Sequence, residues 1–194
     1  MTGIDSTKER IMNVALQLIE QEGVQSITVR KIASMAEVNV AAVNYHFGSK
    51  DTLINETLKY MGEKFDRVFS YLMEKEFSPE VRLRSFLTSY FEIAINYPDI
   101  AKNFITKNIN SSPTRKQYAE FVKNEGLQEL VKTVCEIRTS DDHESLLLRT
   151  FQMMSSLALP IVLNEAVKEI LGIDFGQEEV RMQYIDILVQ NIAK

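Results

Sequence analysis

Residues 28–50 read TVRKIASMAEVNVAAVNYHFGSK, and the pattern in this stretch decides the fold. Val29, Ile32, Ala33 and Ala36 recur at helical spacing, which predicts a short helix from about Val29 to Ala36 with Arg30, Lys31 and Ser34 facing outward. Glu37 and Val38 turn the chain. Asn39 offers a side-chain oxygen to an orphan backbone N–H, the chemistry of an N-cap, and opens a second helix over Val40 to about His46. A helix so short is unstable alone and must be held by its neighbours. Phe47, beside Gly48 at the helix end, is expected to pack inward.

Two short helices crossing at a turn, the second beginning with the small residues Ala41 and Ala42, suit insertion into the major groove of duplex DNA, where bulk would hold the backbone away. Asn44, Tyr45, His46 and Lys50 are donors within reach of base edges or phosphates. With Thr28, Arg30, Asn39, Ala41 and Ala42 they make up the candidate DNA-binding set.

Working outward, the chain reads as helices throughout. Ser6 to Glu9 has the form of a capping box, followed by the stripe Ile11, Val14, Ala15, Leu18 and Ile19, ending at Gly23. Ser49 caps a long helix striped by Leu53, Ile54, Leu58, Met61, Phe65, Val68, Phe69 and Leu72, which joins head to body. A change of packing near Phe65 or Phe69 is expected to tilt the head as a lever. Ser78-Pro79 opens the next helix, Pro98 another, and Asn110 to Pro113 forms a loop. The helix containing Leu127, Val131 and Val134 puts Cys135 at a helical interval from them, so a buried structural thiol is expected. Asp141 opens a helix so apolar from Leu146 to Leu171 that more than one face must be covered, with a kink at Pro160. A last helix runs from about Glu178 to the end. The expected architecture is all-α, about nine helices, divided into a three-helix head at 1–48 and a helical body at 49–194.

With 194 residues, 45% apolar and 25% charged, the composition is that of an ordinary globular protein. Only 7 Gly and 4 Pro argue against a loop-rich β fold. The net charge of −5 at first speaks against a nucleic-acid partner, but residues 1–50 hold five basic and five acidic side chains, so the deficit lies wholly in 51–194. Between Val24 and Lys50, Arg30, Lys31 and Lys50 stand against Glu37 alone. The head is locally positive and the body acidic.

Enzyme chemistry finds little support. His46 and His143 lie far apart in the chain, and H-E-x-x-H, C-x-x-C and G-x-S-x-G are absent. Gly48-Ser49-Lys50 has the letters of a phosphate loop in the wrong order. No metal site and no cofactor are expected. The N-terminal MTGIDS lacks a basic-then-apolar leader, and the longest apolar run, Leu157 to Leu163, is short for a membrane span; a cytoplasmic protein without a membrane partner is expected.

From about Ser6 to Leu53 the order of features resembles the DNA-binding head of the tetracycline-repressor (TetR) family: an amphipathic first helix, Gly23, T-V-R-K-I-A, a turn, a short recognition helix, then H-F-G-S-K entering a long helix. The resemblance covers about a quarter of the chain. In that family the place of Asn44 is usually a Tyr that touches phosphate, so Asn44 or its neighbour Tyr45 takes that role here. The usual Ser-Lys start of the recognition helix is Asn39-Val40, without the Lys contact to phosphate.

The resemblance further implies a homodimer formed by the last two helices, on Leu147, Phe151, Leu157, Ile161, Ile185, Leu188 and Ile192, reading a palindromic operator. It also implies a small-molecule pocket in the body, for which Phe86, Tyr90, Phe104, Tyr118, Phe121, Phe151 and Met154 are candidate lining residues and Arg149 and Glu165 polar anchors. The function so implied is a repressor released from DNA by a small apolar or amphipathic molecule. Two alternatives stay open at this stage: a DNA-bound protein that works through protein partners without an effector, and an all-α scaffold that has lost DNA binding.

Overall fold

A computed structural model describes residues 4–23, 26–97, 101–102 and 125–194. All regular structure among them is helical: α1 (Ile4–Glu22), α2 (Val29–Met35), α3 (Val40–Phe47), α4 (Lys50–Ser70), a 3-10 turn (Tyr71–Met73), α5 (Pro79–Asn96), α6 (Leu127–Ile137), α7 (His143–Leu171) and α8 (Glu178–Ala193). Of the helix expected to start at Pro98 only residues 101–102 are described; the expected loop at Asn110 to Pro113 and the part before residue 125 of the helix expected to carry Tyr118, Phe121, Leu127 and Val134 lie outside the described residues. The chain forms two compact units, Met1–Lys64 and Phe65–Lys194.

In the first unit, α1 buries Ile11, Ala15, Leu18 and Ile19 against Ile32 and Ala33 of α2, Val43 and Phe47 of α3, and Leu53 and Ile54 of α4. At about 1.5–3 kcal/mol for each large apolar side chain removed from water, this core is what holds two helices too short to stand alone. The first turns of α4 belong to this unit because Leu53 and Ile54 share its core and Leu58 packs against it. Helix α1 begins at Ile4, two residues before the expected start at Ser6.

In the second unit α5 is central, packing on α6, α7, α8 and the 3-10 turn. Ser78 caps it by accepting from the Val81 N–H, Pro79 sits at its first turn, and Leu83, Phe86, Leu87, Phe91 and Ala94 face the core. One charged group joins them. Arg82 is only 2% exposed; it donates to the Leu72 carbonyl oxygen at 2.7 Å and pairs with Glu136 of α6, which also accepts from Lys75 at 3.1 Å. Burial pushes the Glu136 carboxyl up, but hydrogen bonds from Lys75 and Arg82 and their charges outweigh that effect and hold it below its ordinary range.

Helix α6 presents Leu130, Thr133 and Val134 to the core and leaves Leu127 and Cys135 exposed. The expectation of a buried Cys135 is thereby corrected: the buried face is rotated by one position from the Leu127–Val131–Cys135 line. Thr133 and Thr150 are buried without penalty because each hydroxyl donates to the carbonyl one turn earlier, Glu129 at 2.9 Å and Leu146 at 2.8 Å.

Helix α7 starts from Asp142, whose carboxylate accepts from the Ser145 N–H at 2.9 Å, and by length and composition alone it is apolar enough to cross a membrane. One face, with Leu146, Met153, Leu157 and Ile161, is nevertheless committed to the core. The Pro160 ring deprives the Ser156 carbonyl of its helical donor, and helical geometry is lost three residues later, at Leu163, where φ is −117° and ψ is 24°.

Candidate nucleic-acid interface

Helix α2 begins at Thr28, whose Oγ1 accepts from the Lys31 N–H at 3.2 Å. It ends in a Schellman motif, with Val38 N donating to the Ala33 carbonyl at 2.9 Å and Glu37 N to the Ser34 carbonyl at 3.2 Å. That motif needs a left-handed residue, and Glu37 supplies it at φ 53°, where glycine is the usual choice. Asn39 then caps α3 by accepting from the Ala42 N–H at 2.6 Å, and Gly48 closes the helix at φ 73°.

Val43 and Phe47, four residues apart, face the core of the first unit. The side turned away from that core carries Ala41 and Tyr45, with Asn44 on its flank and Val40 in the first turn nearer the core side, all exposed. Tyr45 is 85% exposed, an aromatic side chain left in water on a helix otherwise held by apolar burial. His46 falls on the flank: it is half-buried, its ring lies edge-on to Tyr45 with centroids 5.3 Å apart, and it touches Phe47. Phe47 is buried, as its place beside Gly48 predicts, with Lys8 Nζ 5.5 Å above its ring.

The basic groups differ in availability. Lys31 is engaged by Glu22 and Lys8 by Glu56 at 2.8 Å, whereas Arg30 and Lys50 have no ion-pair partner among the described residues. Ser49 Oγ accepts from the Thr52 N–H at 3.1 Å and so starts α4 directly behind the turn. The surface is thus one exposed helix face of amide, phenol and small aliphatic groups, flanked by free cations and by capping side chains whose remaining hydrogens are unspent.

Comparison with known proteins agrees with this geometry. The model of the family described as bacterial regulatory proteins, tetR family, matches residues 11–57, the span of the first unit's core. The HTH-type transcriptional repressor NicS of Pseudomonas putida is 24% identical over 106 residues, 55% of this chain and 50% of that protein. An uncharacterized HTH-type transcriptional regulator in the dhlA 5′ region of Xanthobacter autotrophicus is 44% identical over 46 residues, 24% of this chain and 23% of that one. The solved structure of the ketosteroid transcriptional regulator KstR2 of Mycobacterium tuberculosis superposes over 99% of this chain and 97% of its own, with a TM-score of 0.66 at 18% identity. Residues 11–57 thus carry the DNA-binding region of the tetR family. The all-α TetR fold extends over both units, while the sequence matches span half the length, or less, of these curated relatives.

The body residues that the TetR resemblance singled out fare differently. Leu157, Ile161, Ile185, Leu188 and Ile192 are each 7% exposed or less and pack in the chain's own core. Leu147 and Phe151 are exposed, at 40% and 71%, on the side of α7 that also shows Leu148, Leu159 and Leu163.

Among the candidate effector-binding residues, Phe86 is fully buried and packs in the core against Phe69 and Tyr90, with ring centroids 5.1 and 5.9 Å away. Tyr90 and Met154 are half-buried, and Phe104, Tyr118 and Phe121 lie outside the described residues. Arg149 is spent on Asp141 at 2.7 Å, and Glu165 is exposed. Sequence reasoning missed an apolar groove of about 600 Å³ between the bent half of α7, residues 171–175 and α8, lined by Phe151, Leu159, Pro160, Leu171, Phe175 and Tyr184. Of the described candidate effector-binding residues only Phe151 lines it, and the other sequence signals were Pro160 and the apolar residues Ile170, Leu171 and Ile173.

Proposed function

We propose that the protein is a DNA-binding transcriptional repressor that acts as a homodimer on a palindromic operator in the cytoplasm and is released by a small apolar or amphipathic molecule. The single observation that carries the DNA-binding reading is the exposed outer face of α3, with Tyr45 85% in water, on a helix whose inner face is locked into a core. An evolved core does not require Tyr45, Asn44 and Ala41 outside; a major groove does. Thr28 and Asn39 spend their oxygens on caps and keep a hydroxyl hydrogen and an amide NH2 for phosphate or base, while Arg30 and Lys50 supply unpaired charge.

The dimer reading is supported by Leu147, Leu148, Phe151, Leu159 and Leu163, an apolar side of α7 too large to be scattered surface residues. A two-fold pair would bring two short recognition helices to half-sites one or more helical turns apart, compensating for the few contacts each makes. The effector reading is supported by the groove along α7 and α8, whose volume of about 600 Å³ falls in the range of small-molecule sites and whose walls are mostly aliphatic and aromatic.

The test is fluorescence anisotropy of labelled genomic fragments titrated with the full chain over a range of salt. Saturable binding is expected, weakening as salt rises, with Lys50→Ala lowering the slope of log affinity against log salt by about one unit. Flat titrations refute the reading. Apolar compounds that raise the melting temperature of the free protein should then release the fragment, and a stabilising compound that leaves DNA affinity unchanged removes the effector from the account.

A further inference from the structure

The outer face of α3 contains no Lys or Arg: the cations nearest to it in sequence without an ion-pair partner among the described residues are Arg30 on α2 and Lys50 at the start of α4. A helix face without guanidinium or ammonium has no group for the paired contact to guanine O6 and N7. What α3 exposes instead is specific. Val40 is 38% exposed beside the exposed Ala41, an aliphatic surface that would be poorly used against water or phosphate but matches the 5-methyl group of thymine. Asn44, one turn on in the same row, is exposed, and its carboxamide makes no hydrogen bond among the described residues, in contrast to Asn39, whose amide oxygen is fixed by Ala42. A free carboxamide complements adenine N6 and N7 as a two-point pair. One helical turn advances about 5.4 Å, or roughly one and a half base steps of 3.4 Å, so the two side chains address the same or adjoining base pairs.

We propose that Val40 and Asn44 are the base-reading pair of α3 and that together they select a thymine next to an adenine in each half-site, Val40 by packing on the thymine methyl and Asn44 by bonding the adenine edge. This rests on the DNA-binding reading above. Tyr45 and Lys50 then serve the phosphates, and a two-point guanidinium contact to guanine, where the operator shows it, comes from another element than α3.

The experiment is selection of binding sites by the full chain from a duplex library randomised over about 24 base pairs. Titrations of the selected duplex and of two modified forms follow. Replacing the selected thymine by uracil removes only its methyl; replacing the adenine by 7-deazaadenine removes only N7. The expected result is a recurring T and A at adjoining pairs in both half-sites, with uracil weakening the wild type about fourfold and Val40→Ala hardly at all. The deaza base should weaken the wild type about tenfold and leave Asn44→Ala unaffected. Both positions are exposed, and equal melting temperatures confirm intact folding of the variants. A selected site without the T and A, or modified bases that cost the variants as much as the wild type, overturns the proposal while DNA binding stands. Failure to enrich any sequence overturns both.

Discussion

Tyr184 of α8 donates its hydroxyl to the carbonyl oxygen of Ser156 at 2.8 Å, and this is the oxygen that Pro160, four residues on in α7, leaves without a helical donor. The phenol repairs from another helix the bond that proline removed. Its ring is fixed by Phe175, edge-on at 5.3 Å, and Phe91 at 6.4 Å, and burial raises its pKa above the ordinary phenol value.

Tyr184→Phe should therefore cost about 1–3 kcal/mol, the price of an unsatisfied carbonyl. In a Pro160→Ala background the helix supplies its own N–H to Ser156, and the same change should cost much less. Urea unfolding of the four proteins measures the coupling; equal costs in both backgrounds would show that the hydroxyl does not answer the proline.

Arg82 and Glu136 give an acid dependence of known sign. Because the Glu136 carboxyl lies below its ordinary 4.5 in the folded chain, its contribution is complete above that value and is lost as the pH falls through the folded pKa. Unfolding midpoints followed from about pH 5 to 3 should drop less steeply in Glu136→Gln than in the wild type. Arg82→Leu, which removes the donor to the Leu72 carbonyl and leaves Glu136 with Lys75 alone, should destabilise at neutral pH by about 1–3 kcal/mol. An unchanged pH profile in Glu136→Gln would assign the acid sensitivity to other carboxylates.

The cap at Asn39 separates folding from binding. Asn39→Asp keeps an oxygen for the Ala42 N–H and should leave the melting temperature within a few degrees, yet places a negative charge where the amide would meet DNA. Asn39→Ala should cost about 1 kcal/mol of stability. Calorimetry with anisotropy on both variants checks this, and wild-type DNA affinity in Asn39→Asp would remove the residue from the interface.

For the dimer, burial decides which substitutions are informative. Phe151→Glu and Leu159→Glu alter exposed positions and should give folded monomers in sedimentation velocity. Ile185→Glu places an unpaired charge at a site 1% exposed and should unfold the chain. Intact dimers for both exposed variants would move the association surface away from this side of α7.

The contrast between these positions marks how far the sequence could be read. In residues 28–50 the local signals agreed: a capping Asn39, a glycine at the helix end and apolar spacing along α2, so α2, α3 and the exposed Ala41, Asn44 and Tyr45 were legible in advance. In α7 the apolar residues run around the whole cylinder, and no periodicity distinguishes Leu157, which the core takes, from Phe151, which it leaves out. Cys135 was misread because α6 is turned by one position, a choice made by its packing on α5 and not by its own pattern. Arg82, between Val81 and Leu83, reads as a solvated residue until Glu136, 54 positions away, is brought beside it. Pro160 was read as the bend, while the partner that tolerates it, Tyr184, lies on another helix.

The central claim is that two copies of the α3 outer face enter one DNA duplex together. Hydroxyl-radical footprinting of a genomic fragment captured by the full chain tests it most directly. The account predicts two protected patches of equal shape, related by two-fold symmetry and centred one or more helical turns, about 10 base pairs each, apart, both lost in Tyr45→Ala at equal protein concentration. A single unsymmetrical patch, or protection unchanged by Tyr45→Ala, would contradict it.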